Sequence, residues 1–127
     1  GATRNWCKTI IEWNLASDEN QKPHTDGGCS SCLGALTITD NSVQRNTAYY
    51  VIAHASKFVP PGSVRLFSSS SSTLPNVSFL TPEEKIVTIV LNDSSNKINF
   101  SIILDGKDIH SSLKAGAVGT YIWDLNN

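Results

Sequence analysis

The chain has 127 residues, 39% of them apolar and 17% charged, with a net charge of −1. That is the length of one domain, able to hide roughly 65% of its unfolded surface. The near-neutral balance, with its basic residues scattered, argues against nucleic acid or an anionic membrane as the main partner. No apolar run approaches about 18 residues, so membrane insertion is not expected. Gly1 in place of a methionine is expected of a processed chain or of a piece of a longer one. Sequons at Asn76, Asn92 and Asn99 lean towards a secreted, extracellular protein.

In chain order, residues 2–8 (ATRNWCK) have moderate helical character. Residues 9–15 (TIIEWNL) fit either a strand buried in a parallel sheet or a continuing helix. A parallel strand needs parallel neighbours and none is evident, so the helix is expected to gain. Residues 17–31 read as loop. Residues 36–39 and 43–45 flank Asp40-Asn41, a plausible hairpin turn. Residues 47–58 (TAYYVIAHASKF) form the best helix, with Thr47 as its cap and Pro60-Pro61-Gly62 as its end.

Five strands are expected in the remainder, over 64–69, 76–80, 86–92, 98–104 and 117–123. Turn-forming separators divide them, among them the serine tract 68–72 and Asp105-Gly106-Lys107-Asp108. The expected fold is α+β: an antiparallel sheet of about five strands, derived from a β-sandwich, with two helices and a short extra hairpin. The alternative is a small all-β sandwich with one helix. A single domain spans 1–127, divided into 1–34, a hairpin and helix over 35–62, and an antiparallel meander over 63–127.

The three cysteines allow two readings. Cys7, His24, Cys29 and Cys32 are four zinc-ligand types, but a structural zinc site shows two tight ligand pairs and this chain has one. A Cys29–Cys32 disulfide is therefore expected, with no metal, and Cys7 as a small buried side chain. No nucleophile elbow and no phosphate- or dinucleotide-binding glycine loop is present, and no cofactor is implied.

Four stretches carry a resemblance: RNWCKTIIEWNLASD, PHTDGGCSSCLGALTI, RNTAYYVIAHASKFVPPGSVR and the ending LKAGAVGTYIW. Together they resemble the C-terminal part of fungal glycoside hydrolase family 30, closest to its endo-β-1,6-glucanase-like branch and more distantly to glucosylceramidase. The resemblance implies that 1–34 is the remnant of the last barrel strand plus its loop, and that 63–127 is most of an accessory β-sandwich. It also implies that Trp13 and Asn14 stand where the family's WN pair lines the sugar cleft.

Retaining glycosidases need two carboxyl groups about 5–5.5 Å apart. By the resemblance, the family's glutamates lie upstream of this sequence. Glu12 would point to the face opposite Trp13 in a strand, and Asp18, Glu19, Asp26, Glu83 and Glu84 fall in loops or turns. Hydrolysis by this chain alone is therefore not expected, and glycan binding is. The aromatic supply is Trp6, Trp13, Tyr49, Tyr50, Tyr121 and Trp123, most of it expected in the core. Trp13 and Asn14, with His24 and Asp26 from the adjoining loop, are the expected glycan-binding residues, the ring for stacking and the rest for hydroxyls. Without a barrel the chain is expected to expose apolar area and an unpaired strand edge, and to form a homodimer through a sheet edge.

Overall fold

A computed structural model describes residues 1–69 and 71–125. Of the serine tract, Ser70 lies outside the described residues. Strands β1 (Ala16–Ser17), β2 (Leu36–Ile38) and β3 (Val43–Arg45) precede the single α-helix, α1 (Thr47–Ser56). Then come β4 (Val64–Leu66), β5 (Asn76–Leu80), β6 (Lys85–Leu91), β7 (Ile98–Leu104), β8 (Lys107–Leu113) and β9 (Val118–Asp124). They form three sheets: β1-β2-β3, β4-β5-β6-β9, and the hairpin β7-β8.

The four-stranded antiparallel sheet organises the molecule. Its register sets Ser78, Thr88 and Tyr121 side by side on one face, and Phe79, Val87 and Ile122 on the other. The β7-β8 hairpin closes on the first face, where Phe100 meets Tyr121 edge to face at 5.9 Å and the Tyr121 hydroxyl lies 2.8 Å from Ser111 Oγ. On the second face α1 is fastened to β9 by His54 Nδ1 and Thr120 Oγ1, 2.7 Å apart. Val87, between these layers, is 1% exposed and lies with Phe79, Ile86 and Val90 in the core. The buried Ser78 and Thr88 hydroxyls satisfy each other at 2.8 Å, as polar groups removed from water require.

Asn92 joins the two layers and is fully buried. Its Nδ2 faces the carbonyls of Asn96, Leu113 and Lys114 at 2.7–3.0 Å, while its Oδ1 accepts from the N–H and hydroxyl of Ser94. Its backbone N–H donates to Ala117 O, and its carbonyl accepts from Gly116 N–H. One side chain thus holds both connections, β6 to β7 and β8 to β9. Its sequon is closed to glycosylation in the folded chain.

The expectation of two helices and a five-stranded sheet is overturned by this architecture; the alternative, a β fold with one helix, fits. The first expected helix shrinks to a single 3-10 turn, Thr3–Asn5, ended by Trp6 in the left-handed region at φ 67°. What fixes that turn is tertiary. Arg4 donates to Ser68 Oγ and to the carbonyls of Asn76, Ser68 and Ser69, and the Arg65 guanidinium lies 3.7 Å above the Trp6 ring.

Residues 9–15 are neither helix nor strand; among the described residues the only parallel pairing is β1 with β2, two residue pairs long. The helix cap also differs: Asn46, not Thr47, is the N-cap residue, and its Nδ2 donates to Gly34 O and Thr37 Oγ1. The largest omission is β8, which follows a two-residue turn at Asp105-Gly106, both with positive φ (48° and 77°). Such turns match the twist of the flanking strands and favour Asp-Gly. Lys107 and Asp108, expected in the turn, belong to the strand, which also carries His110.

Candidate functional site

Trp13 and Asn14 lie at the end of the irregular segment that leads into β1. The indole is 72% exposed. Behind it the chain is held by two backbone bonds, Ala35 N–H to Asn14 O at 3.0 Å and Leu36 N–H to Leu15 O at 2.9 Å. Gly34 is needed for this approach: a Cβ there would collide with Asn14 Oδ1 and meet the Ala16 backbone at 3.0 Å. Asn14 Oδ1 is buried, with no hydrogen-bond partner among the described residues. The Trp13–Asn14 peptide is cis, as is Lys22–Pro23.

His24 and Asp26 are exposed in the following loop. Among the described residues no hydrogen bond, ion pair or ring contact links either of them to Trp13 or Asn14. The loop is shaped instead by Asp18, whose carboxylate accepts from the N–H groups of Asn20 and Lys22, both at 2.8 Å, and by the bonded pair Cys29–Cys32. That bond occupies the two sulfurs on which the zinc alternative depended. Cys7 is exposed rather than buried, its thiol 2.8 Å from Thr9 O.

One cluster escaped the sequence reading because β8 did. Ser101 Oγ lies 2.8 Å from His110 Nδ1, and His110 Nε2 lies 3.9 Å from Asp108 Oδ2. These are the residue types of a hydrolytic triad, but the His110 side chain is 81% exposed, so water competes for every contact. The cluster is a solvated cross-strand pair, Ser101 opposite His110, with a neighbouring carboxylate. The alternation of Ile109 and Leu113 after Asp-Gly was the signal for the strand that carries it.

Comparison with known proteins accounts for this arrangement. Residues 62–121 match the glycosyl hydrolase family 30 β-sandwich domain. An endo-1,6-β-D-glucanase of Aspergillus fumigatus is 29% identical over 96% of this chain. The chain is similar, over nearly its whole length, to the C-terminal β-sandwich portion of glycoside hydrolase family 30 proteins. A solved endo-β-1,6-glucanase superposes with a TM-score of 0.84 at 28% identity, again over 96% of the chain. The lysosomal acid glucosylceramidase of the mouse is similar too, 29% identical over 88% of the chain. The chain spans about a quarter of these relatives' own lengths: 27%, 28% and 22%. What residues 62–121 match is the family's β-sandwich domain and not its catalytic domain.

Proposed function

We propose that this chain is a non-catalytic, lectin-like protein that binds glycan outside the cell. Trp13 supplies the stacking face, and Asn14, with His24 and Asp26 from the loop that follows, supplies the hydrogen-bonding groups. The observation that supports this reading is the 72% exposure of Trp13 beside a backbone pinned by Ala35 and Leu36. A rigidly mounted, solvent-facing indole suits the C–H-rich face of a sugar ring. β-Linked glucan is the first ligand class to try, because the fungal relative is named for 1,6-β-D-glucan.

A second reading rests on a different observation. Ile10, Ile11, Trp13, Leu15 and Leu33 are all at least half exposed, and the matched relatives are about four times as long. On that reading the chain is the C-terminal part of an endo-β-1,6-glucanase, whose hydrolysis needs a barrel outside this sequence. A glycan array with the purified chain, run beside a β-1,6-glucan hydrolysis assay, separates the two. Glycan binding abolished by Trp13→Ala supports the first. Absence of binding to any glycan sinks the first and leaves the second, and cleavage of glucan by the chain alone sinks both.

A further inference from the structure

The fold treats the three sequons differently. To bear a sugar, an asparagine amide gives up one of its two N–H protons, and the glycan needs a path to water. Asn92 has no solvent exposure, and its Nδ2 faces three carbonyls. Asn76 is half-buried at the start of β5, its Nδ2 donating to Ser69 O at 3.2 Å and Leu74 O at 3.0 Å. Both of its protons are engaged, and a sugar on Nδ2 would strand one of those carbonyls and crowd the other.

Asn99 is the exception. Alternation along β7 turns Phe100 and Ile102 inward and Asn99, Ser101 and Ile103 outward. Across the hairpin Ser112, His110 and Asp108 stand opposite these three, and all six are exposed. Five of the six are polar or charged, so this face is built to meet water, whether or not the chain is part of a longer protein. Asn99 has small neighbours here, Ser112 opposite and Ser101 two residues along. With His110 they line an open hollow of about 500 Å³, room for a first sugar ring. Among the described residues no hydrogen bond engages the Asn99 amide.

We propose that Asn99 is an N-glycosylation site, and that of the three sequons it is the one the folded chain carries occupied. Its Nδ2 forms a bond to C1 of the first sugar of an oligosaccharide linked to a lipid diphosphate. The C1–O bond breaks, its electron pair leaves with the lipid diphosphate, and one amide proton is released to the medium. The N–H that remains faces water and strands no carbonyl. Such a donor belongs to the secretory compartment, so the inference rests on the extracellular part of the reading above and not on sugar binding at Trp13.

The test is to secrete the full chain from a eukaryotic host behind a cleavable leader. Tryptic peptides of the secreted and the retained chain are then mapped, after an amidase has turned each occupied asparagine into aspartate. The sequons fall on three separate peptides, 66–85, 86–97 and 98–107. The expected result is glycan on 98–107 and none on the other two in the secreted chain, with Asn99→Gln removing all of the glycan mass. In chain made without N-glycans, Asn99→Gln should leave the urea midpoint unchanged, because the amide has no partner to lose. Peptide 98–107 bare in both fractions overturns the proposal. A glycan on Asn76 or Asn92 of the secreted chain overturns it too, as does a lowered midpoint for Asn99→Gln. None of these results bears on the glycan array, where binding through Trp13 succeeds or fails separately.

Discussion

The β4–β9 sandwich and the first 35 residues use apolar side chains in opposite ways. Four of the five buried apolar residues, Phe79, Ile86, Val87 and Val90, lie in β5 and β6; the fifth is Ala35. Trp6, Ile10, Ile11, Trp13, Leu15 and Leu33 are all exposed. Residues 9–15 and 85–91 are similarly apolar, so hydrophobicity does not decide which is buried. Neighbours decide it. β6 has β9 beside it over its whole length and β5 over Ile86–Val90, whereas residues 9–15 have only two backbone bonds, from Ala35 and Leu36, that lead into one short parallel pair. A strand's apolar side chains become core only when a sheet exists to pack them.

The contrast is sharpened by substitutions that should act in one region and not in the other, and Asn92 has the largest expected effect. Asn92→Asp would set a carboxylate against three carbonyls at a position with no solvent exposure. A loss of about 3–5 kcal/mol is expected, because the oxygen that replaces Nδ2 faces three carbonyls and no donor, while Ser94 still serves only the other oxygen of a buried charge. Urea unfolding would measure it; an unchanged midpoint would mean that Asn92 does not hold the two connections together. Next comes Val87→Ala, which leaves a small cavity between the layers and should cost about 2 kcal/mol in the same assay. Thr88→Val keeps the shape but strands the buried Ser78 hydroxyl, for about 1–2 kcal/mol.

Much of this contrast could be read in the sequence, and the omissions have physical causes. Strands β5, β6, β7 and β9 announced themselves by apolar alternation between turn residues, and Cys29–Cys32 by spacing. β8 was missed because KDIHSSL offers only Ile109 and Leu113 as apolar markers, and its pairing with β7 makes up for that weak pattern. The helix expected over 2–8 failed because Arg4 has stronger claims on it from the sheet, which no local propensity contains. Asn92 read as a sequon at the end of a strand; its burial depends on Leu113 and Lys114, some twenty residues away. Of the candidate site residues, Trp13 and Asn14 were chosen by resemblance. That no contact among the described residues joins His24 or Asp26 to them belongs to loop geometry, where local sequence is least informative.

The smallest expected change belongs to the most conspicuous residue. A buried tryptophan replaced by alanine costs about 3–5 kcal/mol. Trp13→Ala should cost within about 0.5 kcal/mol, because the indole is 72% exposed and its removal opens no cavity. Urea midpoints of the two proteins, measured with Val87→Ala as the internal standard, test this directly. A large loss would mean that residues 9–15 are packed in solution, and the division between a self-sufficient sandwich and an unpartnered N-terminal segment would fail. A small one leaves Trp13 free of structural duty, which is the condition under which lost glycan binding in the same variant reports on contact with the sugar rather than on the fold.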